Sequence, residues 1–308
     1  MTSQNKPTLL VTGASGFVGK TLCSSAAENG HGVVALSRTP DTTSALLHHV
    51  KRVEVWRPDT ELIPSSALSD IGAVVHLAGE TIGERWNPDK KQRIRESRVN
   101  STIRLVESLS KIETKPEVLV CASAIGFYGD SGDEEFTEDS PPGNDFLAGV
   151  CQDWELEAQK AEALGIRVVR IRLGHVFGKD GGLLGKMLPP FYMGLGGRLG
   201  SGTQWMSWIH IDDVARIILY AIENQNVNGA LNATAPLPVR NIEFTKTLGR
   251  VIRRPTLFPV PTFALKLRYG EFTDFMLMSQ RVLPEKTLSM GYEFRYADIE
   301  SALRASLG

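Results

Sequence analysis

The chain has 308 residues, 42% hydrophobic and 22% charged, the composition of a globular protein long enough to bury a large core. Its 34 basic and 35 acidic residues leave a formal charge of −1, so no global field attracts nucleic acid or an anionic membrane. The apolar run near the start is about five residues long, too short for a signal peptide or a spanning helix.

Residues 8–12 read as a buried strand, and the turn after it carries Gly13, Gly16 and Gly19. Gly13 permits the tight turn. Gly16 lets backbone N–H groups approach a phosphate, and Gly19 lets helix and strand pack closely. Ser15, Phe17 and Val18 belong to the same turn, where the pyrophosphate of a dinucleotide would rest. A helix over residues 20–29 stops at Gly30, and residues 33–36 form the second strand at βαβ spacing. That strand ends in Ser37 and Arg38 rather than in a carboxylate. A guanidinium fork beside a hydroxyl suits a 2′-phosphate, so NADP(H) is preferred over NAD(H).

Short β-branched runs recur at residues 50–56, 73–77, 118–122 and 166–173, giving five or six parallel strands. Between them lie amphipathic stretches at residues 92–109 and 154–164. The pattern is a Rossmann-type doubly wound α/β sheet over residues 1–174, interleaved with later segments. Residues 175–308 read as a smaller C-terminal α/β substrate-side domain. They hold a glycine-dense segment (178–202), a helix (212–224), scattered prolines and a short terminal helix (296–307). Cys23, Cys121 and Cys151 are odd in number and lack metal-ligand spacing, which points to a reducing, cytoplasm-like compartment. Import through a removed transit peptide stays open. No metal site is expected. The cluster His210-Ile211-Asp212-Asp213 is only local, where a metal needs three or four converging ligands.

The run Thr12-Gly13-Ala14-Ser15-Gly16-Phe17-Val18-Gly19, with His76-Leu77-Ala78-Gly79, residues 123–129 and residues 208–215, resembles the extended short-chain dehydrogenase/reductases. More narrowly, Ala78-Gly79-Glu80, residues 123–129, Trp154-Glu155, residues 200–213, Arg281-Val282-Leu283-Pro284 and Gly291-Tyr292-Glu293-Phe294 resemble the atypical epimerase family of the SDR39U1 and YfcH type. The resemblance spans nearly the whole chain, and it implies that His210-Ile211-Asp212-Asp213 starts a helix capped by Asp212 or Asp213. It implies that Leu77, Ala78 and Gly79 pass the adenosine and pyrophosphate edge of the cofactor. It places Arg98 on the helix beside the cofactor and Val176 near the nicotinamide. A solvated helix charge and an ordinary core valine are the plain readings of those two.

The catalytic pattern departs from the superfamily. Where a tyrosine and a lysine four residues on would exchange a proton with substrate, the chain has Phe146 or Leu147 and Val150 or Cys151. Ser123 matches the serine that would bond a substrate oxygen, and Tyr128 is the nearest phenol able to donate a proton. Asn100 matches a helix asparagine that organises a carbonyl and a water. Two further features stand near the expected pocket: a basic stretch, residues 85–95, suited to an anionic substrate or to a solvated helix start, and the glycine-dense segment, a lid or a loose crossover. The expected function is an NADP(H)-binding oxidoreductase or epimerase acting on an unidentified small molecule, with homo-oligomerisation compatible. The alternative is a cofactor-sensing or scaffold protein without turnover.

Overall fold

The computed structural model describes residues 6–130, 132–179 and 181–308. Its first elements alternate as the periodicity predicts: β1 (Leu9–Thr12), α1 (Phe17–Glu28), β2 (Val33–Ser37), α2 (Pro40–Leu46), β3 (Arg52–Val55), α3 (Ser65–Leu68), β4 (Ala73–His76), α4 (Pro88–Ser110) and β5 (Val118–Ala124). The chain continues through β6 (Glu135–Phe136), α5 (Phe146–Gln159), β7 (Arg167–Leu173), β8 (His175–Gly178), α6 (Gly182–Tyr192), β9 (Trp205–Met206), β10 (Trp208–His210), α7 (Ile211–Glu223) and β11 (Gly229–Ala233). It ends with β12 (Val239–Arg240), α8 (Asn241–Ile252), α9 (Thr262–Tyr269), α10 (Phe272–Met276), β13 (Arg281–Val282), α11 (Glu285–Ser289) and α12 (Ile299–Leu307).

Seven strands form one parallel sheet in the order β11-β7-β5-β4-β1-β2-β3. The order reverses at β1, and in open α/β sheets the crevice at the carboxyl ends beside such a switch holds ligands. The seventh strand comes from beyond residue 174. Its sequence, Gly-Ala-Leu-Asn-Ala, has no β-branched residue and no alternation, so β-propensity does not reveal it; pairing with β7 from Gly229↔Val169 to Ala233↔Leu173 makes it a strand.

Both faces of the sheet are covered. Val11, Val75, Val120 and Ile171 pack with Leu22 of α1 and with Ile217 and Ile218 of α7. Leu10, Val74, Leu119 and Val168 face Leu105 and Leu109 of α4 and Trp154 and Ala158 of α5. A third cluster, Phe177, Trp208, Phe244 and Leu303, forms the core of the substrate-side half, with the Phe177 and Trp208 rings stacked at 5.8 Å. No helix among the described residues is long and apolar enough to cross a membrane.

The expected carboxylate cap on α7 is replaced by another arrangement. His210 is the N-cap, its Nδ1 accepting the Asp212 N–H at 3.2 Å. The Asp213 carboxylate is buried and turned elsewhere, accepting the Tyr292 hydroxyl at 2.9 Å and the N–H groups of Arg295 (2.9 Å) and Tyr296 (3.0 Å).

Candidate functional site

The turn between β1 and α1 is a cradle that only glycine can build. Gly13 has φ +66°, and a Cβ there would stand 2.8 Å from the Leu77 carbonyl carbon. A Cβ on Gly19 would lie 2.2 Å from the Gly13 oxygen, so α1 sits directly against the turn. Gly16 is the N-cap and offers no side-chain acceptor. The first N–H groups of α1 therefore have no partner from the helix or its cap, and the macrodipole makes their end electropositive. Ser15 is exposed beside them, and Val18 packs into the core under α1. These features fit a dinucleotide pyrophosphate. At the end of β2, Arg38 is exposed, while the Ser37 hydroxyl is engaged by the Thr43 hydroxyl at 2.7 Å and the Thr39 N–H at 3.0 Å.

The loop after β4 is held from beneath. The Thr12 hydroxyl oxygen accepts the N–H groups of Leu77 (3.1 Å) and Ala78 (3.2 Å), and it is bonded to His76 Nδ1 at 2.8 Å. His76 Nε2 reaches the Ser101 hydroxyl at 3.1 Å, and burial pushes the imidazole down to about 3, so it stays neutral. Arg98 lies behind Gly79, where a Cβ would come within 3.2 Å of its guanidinium carbon. It donates to the carbonyls of Glu80 and Ile94, each at 3.0 Å, and burial lowers its pKa. Arg98 thus positions the Gly79–Glu80 backbone and is neither a solvated charge nor a free cation. Asn100 is exposed and its side chain has no hydrogen-bond partner among the described residues, so it organises no carbonyl there; Ser97 accepts the Glu80 N–H at 2.9 Å.

Ser123 and Tyr128 are brought together, but inside the protein. Ser123 Oγ donates to Glu155 Oε1 at 2.7 Å. Glu155 also receives Arg172 Nε at 2.9 Å and Nη2 at 3.0 Å. Arg172 Nη1 donates to the Tyr128 hydroxyl at 2.8 Å, and that hydroxyl donates to Asn232 Oδ1 at 2.7 Å. The guanidinium lies 3.5 Å from the centre of the Phe127 ring. All of these residues are buried, and desolvation pushes the phenol up to about 12. Both hydroxyl protons are already committed, so the free proton donor expected at either position is not what the geometry offers. Glu155 and Arg172 were visible in the sequence only as one residue of a Trp-Glu pair and a charge in a strand.

Phe146 packs edge-on against Trp86 at 5.5 Å, beside Phe272 and Phe275, so apolar surface fills the region where the superfamily's tyrosine would stand. β8 continues from the end of β7 toward the glycine turn, and a Cβ at Gly178, Gly181 or Gly182 would strike the Phe17 ring. Val176 is half-buried there, packed against the core between the sheet and α7. Its neighbour His175 is half-buried; its backbone N–H donates to the Ser207 carbonyl at 2.8 Å, its imidazole has no hydrogen-bond or ion-pair partner among the described residues, and burial lowers it to about 4.

The glycine-dense segment, of which Asp180 lies outside the described residues, contains the helix α6 rather than a loose loop. Lys186 of α6 donates to the Gly83 carbonyl at 2.7 Å, so α6 ties the glycine turn to the loop after β4. The basic stretch is occupied within the protein: Lys90 bridges Glu80 and Glu84, each at 2.8 Å, Arg95 pairs with Asp153, Lys91 with Glu271, and Arg85 bonds the Leu267 carbonyl. It is a satisfied helix start, not an anion patch. A cleft of about 890 Å³ opens between the segment that follows β5 and the substrate-side half, with Asp130, Gln204, Arg240 and Ser279 among its walls. Among the described residues no group of three or more His, Cys, Asp or Glu could hold a metal ion.

The sequence profile of the NAD dependent epimerase/dehydratase family matches residues 9–233, and that of DUF1731, a domain of unknown function, matches residues 260–306. The chain is 40% identical to the Arabidopsis thaliana chloroplastic SDR39U1 homolog, an epimerase family protein, over 98% of this chain and 87% of that one. It is 39% identical to the epimerase family protein YfhF of Bacillus subtilis, over 96% of each. Among solved structures, human epimerase family protein SDR39U1 (isoform 2) with NADPH superposes at a TM-score of 0.86, with 33% identity, covering 97% of this chain and 98% of that one. The chain belongs to the NAD-dependent epimerase/dehydratase family, as an SDR39U1-type epimerase family protein.

Proposed function

We propose that this protein binds NADP(H) and uses it in an oxidoreductase or epimerase-type reaction on a small molecule. The observation that carries the reading is the glycine cradle opening toward an exposed Arg38 at the end of β2. The NADPH in the human relative's structure supports the choice of dinucleotide. When bound, the cofactor supplies the hydride position. Gly13, Gly16 and the first turn of α1 hold the pyrophosphate, Arg38 holds the 2′-phosphate, and Leu77, Ala78 and Gly79 form the wall beside it. Val176 and His175 lie on the strand that borders the far end. Ser123 and Tyr128 are committed to Glu155 and Asn232, and burial keeps His175 neutral, so none of the three is a ready proton donor. Three buried free thiols suit a cytoplasm-like reducing compartment.

A fluorescence titration tests the cofactor assignment. Arg38→Asp is expected to weaken NADPH by about tenfold or more, the loss of a charge-assisted fork, and to move preference toward NADH. Unchanged NADPH affinity overturns it. The second reading, a cofactor-responsive scaffold, is favoured by the committed hydroxyls and by Phe146. Partner capture that depends on NADPH, together with no NADPH consumption across a broad carbonyl panel, selects it.

A further inference from the structure

We propose that the groove between α5 and the edge of the sheet is a binding site for a small organic oxyanion, separate from the dinucleotide cradle. Alternation along β7 sends Val169 and Ile171 toward α7 and leaves Arg170 and Arg172 on the face shared with α5. There a cavity of about 390 Å³ opens, with Phe127, Pro142, Glu155, Leu156, Arg170 and Arg172 in its walls.

Charge in this cavity is not balanced. The Arg172 side chain is 5% exposed and that of Arg170 16%, and Glu155 is the carboxylate within ion-pair distance of both. Arg172 takes Glu155 in the close, two-pronged geometry described above; Arg170 Nη1 reaches it only at 3.3 Å. Arg170 Nε is buried and has no hydrogen-bond partner among the described residues. The other nearby carboxylates are engaged elsewhere. Asp153 on the rim pairs with Arg95 at 2.7 Å, and Glu138 accepts the backbone N–H groups of Asn232, Lys286 and Thr287.

A third cation reinforces the excess. A Cβ at Gly229 would stand 3.1 Å from Lys286 Nζ and 3.7 Å from Arg170 Nη2, so the ammonium and the guanidinium converge over β11. The Lys286 ammonium has a backbone carbonyl, that of Asn228, as its partner. Arg170, Arg172 and Lys286 thus stand beside two carboxylates, Glu155 and Glu138, and the surplus cation, with a guanidinium N–H lacking an acceptor among the described residues, calls for an added anion. A planar fork next to a point charge fits a carboxylate or a phosphate ester, and Phe127, Pro142 and Leu156 offer apolar surface for a short carbon skeleton.

Isothermal titration of inorganic phosphate and of succinate into the full chain, with and without saturating NADPH, tests the site. Saturable uptake of at least one probe is expected in both conditions; uptake of phosphate alone or succinate alone identifies the headgroup. Arg170→Gln should weaken that uptake by about tenfold, Lys286→Gln by about threefold, and Lys246→Gln, on exposed α8 surface, not at all. Lys286→Gln, at a half-buried side chain whose ammonium bonds a backbone carbonyl alone, also keeps the test valid where Arg170→Gln fails to fold. No saturable uptake of either probe, uptake abolished by NADPH, or wild-type affinity in both site variants overturns the proposal. Failure of NADPH to bind leaves this result readable, because the site variants lie outside the cradle.

Discussion

A single methyl group at Gly19 decides between two consequences of one contact. Its carbon would stand 2.2 Å from the Gly13 oxygen and 2.7 Å from Ala14 Cα, both backbone atoms that no rotamer change can clear. Gly19→Ala must push α1 off the turn, an overpacking cost of about 1–3 kcal/mol. The same displacement breaks the cradle. Urea unfolding should show a lower midpoint and an NADPH titration should show lost affinity; a variant with wild-type affinity would mean that the turn does not hold the cofactor. Tyr128 is decided in the opposite sense. Its hydroxyl donates to Asn232 and accepts from Arg172, so Tyr128→Phe leaves two buried groups short of partners, about 1–3 kcal/mol of stability. A proton donor would instead leave the urea midpoint unchanged and abolish NADPH consumption, which is the outcome that sinks the structural assignment.

At the scale of elements, β4 and its loop carry a pH signature. His76 is fully buried, bonded to Thr12 and Ser101, and held neutral with its pKa lowered to about 3 by burial. In the unfolded chain it titrates near 6.5, so between these values the unfolded state binds a proton that the native state refuses. Its contribution is complete above about pH 6.5 and is lost as pH falls below that, at about 1.4 kcal/mol per pH unit. Urea midpoints for His76→Asn should fall less steeply than wild type between about pH 6.5 and 4.5; parallel slopes would show that this imidazole is not the group refusing the proton. The chemistry of this loop was only half legible. Six strands are written as β-branched runs, and Gly13, Gly16 and Gly19 announce their turn because local backbone geometry restricts the residue type. The bonds from His76 to Ser101, 25 residues on, and from Tyr128 to Asn232, 104 residues on, are set by how α4 and the turn after β5 pack on the sheet. Register seats Arg172 beside Ser123, and no local pattern encodes that pairing. Helix α5 begins at Phe146, well before the amphipathic stretch at Trp154, because the Asp145 carboxylate caps the Leu147 and Ala148 N–H groups.

Across the whole molecule, the substrate-side half is tied to the sheet through its last 30 residues rather than through a linker. β13 pairs with β6, and Ser207 Oγ accepts the Val282 N–H at 2.8 Å while donating to the Gln280 carbonyl at 2.9 Å. Gln280 in turn donates to the carbonyls of Ile125 and Gly129 just beyond β5. Further along, Tyr292, Arg295 and Tyr296 all converge on Asp213, a fully buried carboxylate on α7, the helix that covers the sheet beside α1. Because β11 and α7 belong to the sheet layer and come from the second half of the chain, neither half completes its core alone. The halves should therefore unfold together. Asp213→Ala removes the acceptor of two part-buried backbone N–H groups and leaves the Tyr292 hydroxyl only the residue-213 carbonyl, now at 3.2 Å, a loss of about 1–3 kcal/mol. Calorimetry of the full chain should show one transition in the wild type and one, at lower temperature, in the variant. A separate early transition for the C-terminal segment, with the main one unmoved, would show that residues 292–296 are an appendage and that Asp213 does not couple the halves.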